Sequence, residues 1–82
     1  MKRFRVGNMI QLNKMVGFGV GTAMTVEIST GKVRWVPVHT RGVIIEQLER
    51  QSSDHPVESA VLLDDCGVFR LCIVRDHMMS KL

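Results

Sequence analysis

Residues 17–38, GFGVGTAMTVEISTGKVRWVPV, carry the clearest local structure signal in this sequence and its single tryptophan. The first arm, from Thr22 to Ile28, is rich in β-branched residues, and a Ser-Thr-Gly turn sequence follows at residues 29–31. The second arm, from Lys32 to Val38, begins with charged and apolar side chains in alternation, as in a half-buried strand. The stretch therefore predicts a β-hairpin.

Trp35 is the residue from which we predict the buried face of the second arm. Successive side chains point to opposite sides of a strand, so a buried Trp35 places Val33 in the core and leaves Lys32 and Arg34 facing outward together. We predict this orientation. An exposed Trp35 beside Arg34 would instead favour nucleic-acid binding, because the ring could then stack on bases.

Further short strands are predicted on both sides of this hairpin. One covers residues 9–12, and an extended segment through Ile45 passes into a helical turn near Glu46 to Arg50. A second hairpin joins residues 57–63 to residues 68–74 through a glycine-containing turn. In its second arm we predict a core face made of Phe69, Leu71 and Ile73.

Length and composition predict one ordered domain. A chain of 82 residues that is 45% hydrophobic and 23% charged is not of disordered type. We expect a single domain over residues 1–82, with residues 1–6 as an arm or edge strand and residues 75–82 as a tail that frays unless a partner covers it. The sequence contains no apolar run of about 20 residues and no signal-peptide core after its basic start, so we expect a cytoplasmic protein without a membrane partner.

The charge is unevenly distributed along the chain. The net charge is +3, and residues 1–50 hold eight Lys or Arg against three acids, while residues 51–82 hold three against five. This asymmetry favours an anionic partner, or the packing of the basic half of one copy against the acidic half of another. Candidate contacts to nucleic acid or another anionic partner are Arg3, Arg5, Lys14, Lys32, Arg34 and Arg41.

The residue types used in catalysis and metal binding are not spaced for either task. Cysteines 66 and 72 and histidines 55 and 77 lack the close Cys pairs of structural zinc sites, and Asp64 and Asp65 are typical turn residues. The G-x-G-x-G run that precedes the first arm does not match the dinucleotide-binding spacing. We therefore expect no enzyme activity, no metal and no cofactor.

The order of these motifs resembles a known family of small proteins. From Val6 to Glu49 the chain carries VGNMIQLNK, GFGVGTAMTVEI, GKVRWVP and QLE, which is similar to the SH3-like barrels of many tailed bacteriophages and bacteria. That family opens with V-G-D and continues with apolar residues between glycines and a V-x-W strand. This chain departs from it at Asn8 and Gly21 and in the added residues 57–82.

The resemblance implies an all-β fold, an SH3-like barrel of five to six short antiparallel strands with an added C-terminal hairpin. It also implies a non-catalytic protein-interaction or assembly module, of bacteriophage type, located in the host cytoplasm or the virion. A nucleic-acid-binding barrel is the alternative, and a small enzyme or enzyme inhibitor is the third. Candidate contacts to a protein partner, or to another copy of the chain, are Phe18, Met78, Met79 and Leu82.

Overall fold

The computed structural model describes residues 4–13, 21–48 and 58–82, and these residues are almost entirely antiparallel β-sheet. A short 3-10 helix, Asp76–Met78, precedes the last strand. The all-β fold class is confirmed, with seven strands in the described part of the chain where five to six were predicted. In chain order the strands are β1 Met9–Leu12, β2 Thr22–Glu27, β3 Val33–Pro37, β4 Arg41–Leu48, β5 Glu58–Asp65, β6 Val68–Arg75 and β7 Met79–Lys81.

The seven strands form one sheet that curls into a half-barrel, in the order β3-β2-β6-β5-β4-β1-β7. Both predicted hairpins, β2 with β3 and β5 with β6, are present. Strand β4 pairs with β5 and β1, and β1 also pairs with β7. A register shift between Ile44 and Glu46 places a bulge in β4, and a bulge increases the local twist that curls a sheet.

Glycine chemistry determines the two hairpin turns. Gly31 has a φ of 69° and its N–H donates to the Glu27 carbonyl at 2.8 Å. In the second hairpin Cys66 and Gly67 both have positive φ, of 53° and 85°. Two successive positive φ values match the right-handed twist of the flanking strands, and Asp64 Oδ1 accepts the Gly67 N–H at 2.9 Å. The turn signals in the sequence therefore predicted both hairpins correctly.

The core lies on the inner, concave side of the curled sheet. Strands β2, β3 and β6 contribute mainly small side chains to it, including Ala23, Val36 and Cys72. The segment before β1 contributes Phe4, which is fully buried and whose carbonyl accepts a hydrogen bond from Gln47 Nε2. The other large buried side chains are Ile10, Leu12, Ile44, Leu63 and Met79.

In strands β3 and β6 the face that points toward the core is the opposite of the predicted one. Val36 is fully buried while Trp35 is 47% exposed, and Cys72 is buried while Phe69 and Leu71 are 67% and 39% exposed. The predicted core positions of Val33, Trp35, Phe69 and Leu71 are therefore wrong. Both strands carry apolar side chains in both phases, and a one-residue change of phase moves every side chain of a strand to the other face. The phase observed brings Arg34 and Arg70 to the buried carboxylate of Glu27.

Two local predictions are also corrected. Residues 46–48 continue β4 as strand where a helical turn was expected, and residues 49 and 50 lie outside the described part. The expected frayed tail instead forms the 3-10 helix and β7, which pairs with β1 through Leu12 and Met79. Pairing with β1 gives this tail backbone hydrogen bonds, and the burial of Met78 and Met79 holds it on the core.

Candidate functional site

The convex side of the sheet is apolar across six of its seven strands. The register places outward-pointing apolar side chains opposite each other in two rows, one across β3, β2 and β6 and the other across β6, β5, β4 and β1. The rows join at Leu71 and Ile73, which are two residues apart on β6 and share one side of the strand. We call this surface the outer face, and its members are Met9, Val26, Val33, Trp35, Val43, Leu62, Phe69, Leu71 and Ile73.

The outer face is open to solvent. Five of its nine members are exposed, namely Met9, Val33, Trp35, Phe69 and Leu71, and the other four are half-buried. Single exposed apolar residues are ordinary on a protein surface. A continuous apolar patch that crosses most of a sheet is not ordinary, and it marks a site where a protein contacts another molecule.

Phe69 forms a ridge between two depressions on this side of the molecule. The first, which we call the Met9 pocket, has a volume of about 250 Å³ and is lined by Met9, Arg41, Gly42, Val43, Leu62 and Asp64 as well as by Phe69. The second, the Arg70 pocket, has a volume of about 390 Å³ and is lined by Phe69 and Leu71 together with Glu27, Ile28, Ser29 and Arg70, so it lies between the outer face and the inner side of the sheet. The Phe69 ridge and the Met9 pocket give the outer face its relief.

The Met9 pocket has one basic and one acidic side chain among its apolar ones. Arg41 is exposed on β4, and its side chain makes no hydrogen bond or ion pair with any described residue. Asp64, at the end of β5, uses Oδ1 to accept the Gly67 N–H, and no described residue binds its second oxygen. Both charges are therefore available to a molecule that enters the pocket.

A second group of charged side chains lies where β2, β3, β5 and β6 meet on the inner side. Buried Glu27 Oε2 lies 3.0 Å from Arg34 Nε and 3.3 Å from an Arg70 terminal nitrogen, and Arg70 Nε lies 3.1 Å from Asp65 Oδ2. Thr30 donates a hydrogen bond to Glu27 Oε1 at 3.2 Å. With two arginines and two carboxylates, the cluster is neutral and internally paired.

The Glu27 carboxyl is held in its charged form by these partners. Burial by itself would raise the pKa of Glu27, but the hydrogen bond from Thr30 and the two guanidinium groups outweigh it, so the pKa lies below the ordinary value of 4.5. A carboxylate with a lowered pKa and satisfied oxygens is a poor general base at neutral pH. The cluster is therefore suited to holding four strands together.

Four of the predicted basic contacts, Arg5, Lys32, Arg34 and Arg41, lie in the described part of the chain. Arg34 shares the inner side of β3 with Val36, where it pairs with Glu27, and so it is not beside the ring of Trp35 on the outer face. This corrects the predicted outward orientation of Arg34. Arg5 before β1, Lys32 before β3 and Arg41 in β4 are exposed, and Arg3 and Lys14 lie outside the described residues.

The predicted protein contacts have different environments. Met78 and Met79 are buried in the core of the chain, so the expectation that they offer an apolar surface to a partner is corrected. Leu82 is exposed at the end of the chain, and Phe18 lies outside the described residues. None of the three described contacts, Met78, Met79 and Leu82, is a member of the outer face.

The two cysteines are free thiols in different settings. Cys66 is exposed at the β5–β6 turn, and Cys72 is buried in β6. Burial raises the pKa of the Cys72 thiol, which disfavours the reactive thiolate. Within residues 4–13, 21–48 and 58–82, no three His, Cys, Asp or Glu side chains come together as metal ligands.

Comparisons with known protein families, curated proteins and solved structures found no match to this chain. No helix in the described part of the chain is long and apolar enough to cross a membrane. The candidate site is an apolar surface with the Phe69 ridge and the Met9 pocket, and two charged side chains, Arg41 and Asp64, line that pocket.

Most of the exposed members of the outer face were not predicted to be exposed. Alternation in the sequence predicts that Val33, Phe69 and Leu71 belong to the core, whereas the structure leaves all three exposed. A signal for them exists in residues 68–74, VFRLCIV, where apolar side chains occupy both phases of the strand. A strand that is apolar on both faces is typical of a sheet that is covered on both sides.

Proposed function

We propose that this protein is a non-catalytic protein-interaction or assembly module that binds through the outer face. The observation that supports the proposal is the continuity of exposed and half-buried apolar side chains over six strands of one sheet. Burial of apolar surface is the main favourable contribution to most protein association. Aromatic side chains such as Phe69 and Trp35 are enriched at the centres of protein interfaces.

The wider biological setting of the proposal comes from the sequence resemblance. The motifs between Val6 and Glu49 are similar to those of small SH3-like barrels in tailed bacteriophages and bacteria. On this basis we propose a small structural or accessory protein of a phage, located in the host cytoplasm or the virion. A small barrel takes its role from its partners, because a fold alone does not define a function.

The test is retention of partner proteins by the immobilised chain from an extract of the cells that produce it, combined with light scattering of the purified chain. The test variant is Val33→Ser with Leu71→Ser, which places two hydroxyls on the outer face. The matched control is Val6→Ser with Val68→Ser, which changes two exposed valines that are not members of the outer face.

We expect a defined complex, with the chain itself or with another protein, that the test variant loses and the control keeps. Equal retention by both variants would count against the outer face as the binding site. The absence of any complex, in the extract and in the purified sample, would count against the function itself.

Nucleic-acid binding is the second candidate, and the exposure of Trp35 favours it. Arg5, Lys32 and Arg41 are exposed cations that can contact phosphates. Across the sheet Trp35 pairs with Met24 of β2, whose side chain is apolar. Binding to random DNA and RNA over a salt series tests this candidate: steep loss of affinity with salt supports it, and no binding at low salt contradicts it.

A further inference from the structure

We propose that the partner of the outer face is a second copy of this chain, bound across a two-fold axis with the Phe69 ridge of each copy in the Met9 pocket of the other. The proposal rests on the proposed function and adds the identity and geometry of the partner. A two-fold interface uses the same patch on both copies, so the patch must be complementary to itself. A projecting side chain next to a pocket that accepts it meets this requirement.

The dimensions of the two features agree. Phe69 is the most exposed of the large apolar side chains described, and it borders the Met9 pocket directly. An engineered apolar cavity of about 150 Å³ in another protein binds benzene. The Met9 pocket, at about 250 Å³, has room for a phenyl ring, and Met9, Val43 and Leu62 give it apolar walls.

The charged side chains of the Met9 pocket are also complementary to those of the same pocket in a second copy. Arg41 and Asp64 line the same pocket as the ridge, and each has unused hydrogen-bonding capacity toward the described residues. A molecule that fits must therefore present an apolar side chain, an acid and a base close together. A second copy presents all three, and a two-fold axis then pairs Arg41 of each copy with Asp64 of the other.

Nucleic acids and peptides of a single charge complement the Met9 pocket less well than a second copy does. A nucleic acid carries only negative phosphates, which Asp64 repels, and it has no aliphatic side chain for the pocket. An acidic or a basic peptide satisfies one of the two charges and leaves the other uncompensated when water is removed, which costs free energy. The mixed charge is the feature that favours a copy of the same chain.

The first experiment measures the mass of the full chain by sedimentation over a range of concentrations. We expect a dimer for the unaltered chain, a monomer for Phe69→Ser, and a dimer for the control Val68→Ser, which changes an exposed residue of the same hairpin that lines neither pocket. Circular dichroism and thermal unfolding show that each variant is folded. A dimer of equal affinity after Phe69→Ser contradicts the proposal.

The second experiment uses charge reversal and mixing. Arg41→Asp alone and Asp64→Lys alone each place like charges opposite one another in both pairs of the dimer, and we expect association to weaken about tenfold or more. An equal mixture of the two variants restores opposite charges in both pairs, so we expect a heterodimer with restored affinity. No effect within one chain produces this result, because rescue on mixing requires contact between chains.

If Asp64→Lys does not fold because it loses the hydrogen bond to the Gly67 N–H, the mixing experiment is done with Asp64→Asn, which keeps an oxygen at this position. The expected rescue is then smaller but has the same sign. Failure of the mixture to associate better than either variant contradicts the pairing of Arg41 with Asp64.

The outcomes separate this proposal from the proposed function. A chain that remains monomeric at its highest soluble concentration, yet retains another protein through the outer face, overturns the two-fold dimer and supports the interaction function. A chain that associates with nothing overturns both. A dimer that survives both Phe69→Ser and charge reversal uses another surface, and this outcome overturns the dimer proposed here.

Discussion

Gly42 shows how closely β4 packs against β5. A Cβ at this position would lie 2.7 Å from the Leu62 carbonyl oxygen and 2.9 Å from Val61 Cγ1. The Leu62 oxygen belongs to the backbone of the neighbouring strand, so it cannot rotate away as a flexible side chain does. Glycine is required here because of close approach, since its φ is not in the positive range.

The first prediction follows from this contact. Gly42→Ala lowers the free energy of unfolding by about 1–3 kcal/mol, because the methyl group forces β4 and β5 apart. The urea unfolding midpoint measures the effect. Glu46→Ala, an exposed change on the same strand, is the control and should alter stability by less than about 0.5 kcal/mol. Equal midpoints for the two variants would show that β4 and β5 can move apart without loss of stability.

At the scale of the element, the inner charged cluster joins four strands that are not all neighbours in sequence. Glu27 ends β2, Arg34 lies in β3, Arg70 lies in β6, and Asp65 ends β5. Each carboxylate contacts an arginine of another strand. Removing one partner leaves a poorly solvated charge behind, so the cluster is more costly to break than an exposed ion pair.

The second prediction concerns the pH dependence of this cluster. The pKa of Glu27 is lower in the folded chain than its ordinary value of 4.5, so its charge stabilises the fold above about pH 4.5 and this stabilisation is lost as the pH falls through the folded pKa. Glu27→Gln should therefore lower the urea midpoint at pH 7. The difference from the unaltered chain should shrink as the pH falls below 4.5.

Glu46→Gln is the control for the pH series, because Glu46 is exposed and has no ion pair among the described residues. It should leave the midpoint nearly unchanged at every pH. A difference between Glu27→Gln and the unaltered chain that stayed constant down to pH 2 would mean that the charge of Glu27 has no part in the stabilisation.

The sheet of the whole molecule has an inner face and an outer face, and a single chain supplies the side chains that can cover them. The inner face is covered by side chains from the sheet itself, by Phe4 and by Met78 and Met79. The outer face keeps its apolar side chains in solvent. A domain of this size buries a modest core, and the proposed dimer would add stability to it by mass action.

The third prediction is that the thermal unfolding midpoint rises with protein concentration. Association that occurs only in the folded state stabilises it by mass action. For a domain of this size the midpoint should rise by roughly a few degrees for each tenfold increase in concentration. Calorimetry over a hundredfold range measures the slope. Phe69→Ser should abolish the slope and Val68→Ser should preserve it, and a flat line for the unaltered chain contradicts folding coupled to association.

The positions of strands and turns were largely predictable because their signals are local. The β-branched residues of β2, the glycine at position 31 and the Cys66-Gly67 turn act through the backbone of their own neighbours. The same local signals failed for the C-terminal residues. Strand β7 exists because β1 offers it hydrogen bonds, and β1 lies more than 60 residues earlier in the sequence.

Alternation and turn residues in the sequence specify the fold class and both hairpins. The buried face of each strand depends on contacts between strands that are distant in sequence. Strands β3 and β6 carry apolar side chains in both phases, so alternation allows either face inward. In the folded chain Val36 and Cys72 are buried, Arg34 and Arg70 pair with Glu27, and Trp35 and Phe69 are exposed. The candidate site depends on this choice of phase, because the other phase would bury the aromatic side chains of both strands.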